Sequence, residues 1–114
     1  MTPEITVAEL AEKLASADPF VLLDVREPWE VARVKINDAR VIVKPMSELA
    51  QRGLEALPDA ARDSDANLYV LCHHGVRSAN VTDWLASQGW TNVFSVAGGI
   101  DDYAQRIDRE VGTY

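Results

Sequence analysis

Apolar and polar positions fall into two alternating patterns along the chain. Continuous apolar runs stand at Phe20-Val21-Leu22-Leu23-Asp24-Val25, Val41-Ile42-Val43, Leu68-Tyr69-Val70-Leu71 and Val93-Phe94-Ser95-Val96. Short runs of this kind suit strands covered on both faces, as in a parallel sheet. Between them, apolar residues recur at helical spacing. Thr6-Val7-Ala8-Glu9 matches a capping box and, with Leu10 and Leu14, predicts a helix over about 7–16 that Asp18-Pro19 ends. Glu27 to Ala32 predicts a short helix with Pro28 in its first turn. Met46 to Leu57 carries Leu49, Leu54 and Leu57 and predicts one or two helical pieces, limited by Gly53 and Pro58. Ser78 to Gln88 predicts a helix with Val81, Trp84 and Leu85 on one face and Gly89 just past its end. Gly98-Gly99 predicts a turn, and Ile100 to Ile107 a last helix. Strands alternating with helices imply an α/β fold with a mostly parallel sheet. In such sheets ligands sit beyond the carboxyl ends of the strands.

Composition narrows the function. The 114 residues suffice for one domain, spanning 1–114, and 47% hydrophobic against 25% charged residues is ordinary globular usage. The net charge of −7 repels phosphate backbones and anionic lipid surfaces, so neither nucleic acid nor membrane is an expected partner. No apolar run approaches the ~20 residues of a membrane-spanning helix. Met1 to Lys13 carries Glu4, Glu9 and Glu12 and no basic segment, so it does not read as a signal peptide. The one cysteine, Cys72, cannot form an internal disulfide, which fits a cytoplasmic protein. One Cys, two adjacent His and no CxxC are too few soft ligands for structural zinc. GxGxxG and P-loop motifs are absent as well, so no cofactor is expected.

The chemically richest stretch is Cys72-His73-His74-Gly75-Val76-Arg77-Ser78, between a predicted strand and a predicted helix. A lone Cys at a strand end is ordinarily a small core hydrophobe. Here three features oppose that reading. The helix N-terminus supplies unpaired N–H groups and partial positive charge. Gly75 permits a tight turn whose amides point inward as an anion nest. Arg77 adds a full charge. Each favours thiolate over thiol, and the thiolate is the nucleophile. His73 and His74 read either as solvated loop residues or as one pocket residue and one outward residue, since adjacent loop side chains diverge.

Cys72-His73-His74-Gly75-Val76-Arg77-Ser78 resembles the active-site loop of rhodanese-like sulfurtransferases. So do Asp24-Val25-Arg26-Glu27-Pro28-Trp29-Glu30 and Val96-Ala97-Gly98-Gly99-Ile100, in the same order, and the likeness spans about residues 4–108. The resemblance implies an open sheet of about five mostly parallel strands flanked by helices on both faces. It also implies transfer of sulfane sulfur, from a small anionic donor such as thiosulfate to cyanide or a thiol, through a cysteine persulfide. By this likeness Cys72 carries the sulfur, residues 73–77 cradle it with backbone N–H groups, Arg77 helps bind the donor and Ser78 caps the helix. Asp24, Arg26 and Glu30 form a charged cluster beside the loop, with Asp24 and Arg26 expected as a structural ion pair. Gly98 and Gly99 serve turn geometry beneath the site.

The chain departs from the family in one stretch. Many members carry Gly-His-Ile and then Pro-Gly-Ala, where this chain reads Val34-Lys35-Ile36-Asn37-Asp38-Ala39. A Lys35 facing inward would add positive potential near the pocket. Other readings compete. Cysteine phosphatases of the tyrosine-phosphatase kind place Arg six positions after Cys; here Arg77 is five after Cys72, a smaller ring of amides that suits a sulfur better than a phosphate. Arsenate reduction can use a similar loop. A non-catalytic interaction module is opposed by the presence of Cys72, Gly75 and Arg77, while a sulfur-relay subunit acting on a protein partner fits all three.

Overall fold

Leu68–Leu71 is apolar at every position because it is covered on both sides. All four residues are buried, with Leu68 and Val70 joining one core and Tyr69 and Leu71 the other. The computed structural model describes residues 1–114. Its strands are β1 (Glu4–Ile5), β2 (Val21–Asp24), β3 (Val41–Val43), β4 (Leu68–Leu71) and β5 (Val93–Val96). Its helices are α1 (Val7–Ala15), α2 (Pro28–Arg33), α3 (Met46–Arg52), α4 (Val76–Ser87) and α5 (Gly99–Arg106), with short 3-10 turns at Gly53–Ala56, Asp59–Ala61 and Arg109–Val111.

The five strands form one sheet in the order β1-β5-β4-β2-β3, and every pairing is parallel. Parallel neighbours need crossovers, and the helices between strands supply them. Leu49 of α3 and Val81 and Leu85 of α4 fill one core with Leu23, Leu68 and Val70. Val7 and Leu10 of α1 and Ile100 and Tyr103 of α5 fill the other with Leu22, Tyr69 and Leu71. Burying a side chain of this size stabilises by roughly 1.5–3 kcal/mol, so the two cores fix how the helices sit on the sheet.

Local signals place most of the elements. Thr6 accepts from the Glu9 amide while the Glu9 carboxylate accepts from the Thr6 amide, so the capping box forms. Gly89, at φ 107°, follows the end of α4. Two departures matter. β1 was not visible in the apolar pattern; its two residues pair with Ser95 and Val96 of β5. Helix α4 starts at Val76 rather than Ser78, because Gly75 takes a left-handed φ of 104° and turns the chain into the helix earlier. The topology gathers Asp24, Cys72 and the Gly98-Gly99 turn at the carboxyl edge of β2, β4 and β5.

Candidate active site

Cys72 leaves the end of β4 and its residue is 1% exposed. Its sulfur accepts from the Gly75 amide at 3.0 Å and the Ser78 amide at 3.3 Å, and its thiol faces Ser78 Oγ at 3.4 Å. The amides of Val76 and Arg77 lie in the first turn of α4, where no intrahelical acceptor exists. The loop therefore sets two backbone N–H donors on the sulfur at a positive helix end, an arrangement that stabilises negative charge on sulfur.

Ser78 does not cap the helix. It is fully buried, and its hydroxyl lies 3.2 Å from the Gly75 carbonyl and 2.7 Å from Ser95 Oγ. The Ser78 hydroxyl thus stands between the Cys72 sulfur and Ser95, in hydrogen-bond contact with both. Ser95 escaped the sequence reading. Its signal was a polar residue inside the apolar run of β5.

Helix α5 holds the loop from below. The Ile100 amide donates to the Cys72 carbonyl at 2.9 Å and the Asp101 amide to the His73 carbonyl at 3.1 Å. This contact explains Gly99, since a Cβ there would overlap the carbonyl oxygens of both Cys72 and His73.

The charged cluster divides into two pairs. Arg26 and Asp24 are sealed from solvent, joined by Nη2–Oδ2 at 2.8 Å and Nε–Oδ1 at 3.0 Å. Burial works against the charge on Arg26, but the bonds and charge of Asp24 together with the contact to Tyr114 outweigh this and raise its pKa. Glu30 is buried against Arg77 in a two-pronged pair of 2.6 and 2.8 Å. The Arg77 bonds pull the Glu30 pKa down to about 2 against the opposing effect of burial, and push that of Arg77 up.

Tyr114, which the sequence reading did not single out, ties the two pairs together. Its hydroxyl donates to Glu30 Oε2 at 2.7 Å and accepts from Arg26 Nη1 at 3.3 Å. Its ring stacks on His73 at 3.8 Å, and His73 stacks on His74 at 3.8 Å. Burial, then the neighbouring His74, lowers the His73 pKa. The two histidines do not diverge. His74 Nδ1 lies 3.7 Å from Asp101 Oδ2, and His73, His74 and Asp101 offer donor atoms within 4.8 Å of one another. The imidazole planes are 27° apart. Val76 is 71% and Trp29 61% exposed.

Lys35 contributes nothing here. It is exposed and lines a separate groove of about 900 Å³ together with Val34, Ile36, Tyr103 and Val111. No helix is long and apolar enough to cross a membrane.

Comparison with known proteins agrees with this geometry. The family model described as Rhodanese-like domain matches residues 6–106. A protein of Allochromatium vinosum named Sulfurtransferase is 31% identical over 105 residues, 92% of this chain and 91% of that one. The Rhodanese-like/PpiC domain-containing protein 12, chloroplastic, of Arabidopsis thaliana is 34% identical over 116 residues, 97% of this chain but only 37% of that protein. The solved structure of the human single domain sulfurtransferase TSTD1 superposes with a TM-score of 0.74 at 25% identity, covering 93% of this chain and 98% of that one.

Proposed function

This chain belongs to the Rhodanese-like domain family, and from that premise we propose that it moves sulfane sulfur from a small anionic donor such as thiosulfate to cyanide or a thiol, through a persulfide on Cys72. The observation that carries the reading is the pair of amides, from Gly75 and Ser78, directed at the Cys72 sulfur. In the first step the Cys72 thiolate attacks the outer sulfur of thiosulfate. The sulfur–sulfur bond of the donor breaks, sulfite leaves with the electron pair, and Cys72 holds the persulfide anion. In the second step cyanide or a thiolate attacks the outer sulfur and the Cys72 thiolate leaves. The negative charge stays on sulfur throughout, so fixed N–H donors serve every state. His73, His74 and Val76 line the loop around the sulfur, Ser78 orders it from beneath, and Asp24, Arg26 and Glu30 hold it from the side. A single free cysteine that must return to the thiolate fits a reducing cytoplasm.

A second reading is a sulfur relay in which a partner protein gives or takes the sulfur. Val76 and Trp29 favour it, as large apolar side chains left in water beside the loop.

The test is direct. The reduced protein is incubated with excess thiosulfate, desalted and weighed intact, beside Cys72→Ser. One added sulfur on the wild type alone, released by cyanide as thiocyanate, is the expected result. No adduct from thiosulfate or any other persulfide donor would sink the proposal.

A further inference from the structure

Arg77 is the cation of the sulfur loop, and it is already taken. Both of its terminal nitrogens meet Glu30 oxygens, at 2.6 and 2.8 Å. Glu30 is itself fixed by two further donors, the Tyr114 hydroxyl at 2.7 Å and the Glu27 amide at 3.1 Å. The other cations that follow strand ends on this edge are also paired. Arg26 faces Asp24 at 2.8 Å and Lys44 faces Glu48 at 3.2 Å. The chain as a whole carries −7. A dianion reaching Cys72 therefore meets no uncompensated positive side chain among these three, and it must compete with a buried carboxylate for Arg77. Organic surface, by contrast, is plentiful. Trp29, Tyr114, His73 and His74 form a continuous aromatic row.

We propose that Glu30 determines the class of sulfur donor: by closing Arg77 into a two-pronged pair, it makes Cys72 favour singly charged organic donors, persulfides and thiosulfonates, over the thiosulfate dianion. This rests on the sulfur-transfer reading above and refines it. Thiosulfate remains a donor, but a slow one. With a thiosulfonate anion the Cys72 thiolate attacks the terminal sulfur. The Cys72 sulfur–sulfur bond forms, the donor's sulfur–sulfur bond breaks, and a sulfinate anion leaves with the electron pair. Two negative charges enter and two remain, and no external oxidant or reductant is needed. Glu30 touches no reacting atom; it is a positioning residue that acts through Arg77.

The probes are thiosulfate and methanethiosulfonate, which deliver the same sulfur and differ by one charge. Persulfide formation on Cys72 is timed by intact mass for the wild type, Glu30→Gln and Glu30→Asp. The wild type is expected to favour methanethiosulfonate in kcat/KM. Glu30→Gln keeps the shape and removes the charge, so the ratio should move toward thiosulfate by about tenfold, mainly through KM. Glu30→Asp keeps the charge and should keep the wild-type preference, whereas a merely structural role would be lost in both variants. Wild-type protein gives a second readout should the variants fail to fold. Its kcat/KM for thiosulfate should stay flat or rise with added salt, because screening relieves repulsion of the dianion. A steep fall with salt, or an unchanged donor ratio in a folded Glu30→Gln protein, overturns the role of Glu30 while leaving sulfur transfer standing. Failure of both donors to charge wild-type Cys72 overturns the sulfur-transfer reading, and this inference with it.

Discussion

The Arg26 guanidinium and the Asp24 carboxylate form an ion pair with neither side chain reaching solvent. Asp24 also accepts from the Arg26 backbone amide at 3.1 Å, so the pair pins the chain where it leaves β2. From there Arg26 reaches Tyr114 and the Glu30 carbonyl. Removing one partner strands the other charge in the interior, at a cost of about 3–5 kcal/mol. Arg26→Met is expected to lose that much by urea unfolding. Asp24→Asn with Arg26→Met should cost clearly less than the two single losses added, since neither charge is then left alone. A loss below about 1 kcal/mol in Arg26→Met would show the pair to be replaceable.

Gly99 and Gly89 separate strain from space. Both have positive φ, 63° and 107°. An alanine at 89 meets nothing within 4 Å, while one at 99 meets the carbonyls of Cys72 and His73. Gly89→Ala should cost only the left-handed backbone penalty, about 1–2 kcal/mol, with sulfur loading intact. Gly99→Ala should cost more and also displace the loop. Thermal unfolding and the rate of sulfur uptake check the two together. Equal losses of stability would show that the contact with α5 does not constrain the loop.

The Ser78–Ser95 contact of 2.7 Å links β5 to the sulfur. Ser78→Ala removes the hydroxyl that faces Cys72 and is expected to slow loading about tenfold, equivalent to roughly 1.4 kcal/mol in the barrier. Ser95→Ala leaves the Ser78 hydroxyl short of a buried partner, with an expected stability loss of about 1–3 kcal/mol and a smaller effect on rate. Full loading rates in both variants would confine the pair to packing.

The contrast between Cys72 and these serines shows what the sequence exposes. Cys72, Gly75 and Arg77 were legible because they stand together in one loop after an apolar run, where local rules apply. The strands at 41–43, 68–71 and 93–96 were legible for the same reason. β1 was not, because two residues carry no periodicity and their pairing with Ser95 and Val96 is a tertiary event. Ser78 looked like a cap because serine favours that place, yet Gly75 starts the helix and turns Ser78 inward. Tyr114 lies 84 positions from Glu30 and 88 from Arg26. No local pattern announces such a contact. Lys35 illustrates the converse, since a charge near the motif in sequence faces a different groove in space.

Acid should lower the stability of this protein in two stages. In the folded chain burial and His74 lower the pKa of His73 from its ordinary 6.5. Below that pH the unfolded chain takes up a proton that the folded chain resists, so stability starts to fall there. Glu30 titrates near 4.5 when unfolded and near 2 when held by Arg77. Its contribution is therefore complete above about 4.5 and is lost as pH falls toward 2. Asp38 behaves alike, lowered to about 2 by Arg40, and adds to the same stage. Glu30→Gln should begin less stable at neutral pH and lose less on acidification below 4.5, leaving the Asp38 part of the slope. Urea midpoints measured from about pH 7 to pH 3 read both stages. If Glu30→Gln ran parallel to the wild type over the lower stage, Glu30 would not be ion-paired with Arg77 in solution. Arg77 would then be free for a dianion, and the preference argued for singly charged donors would fall with the pair.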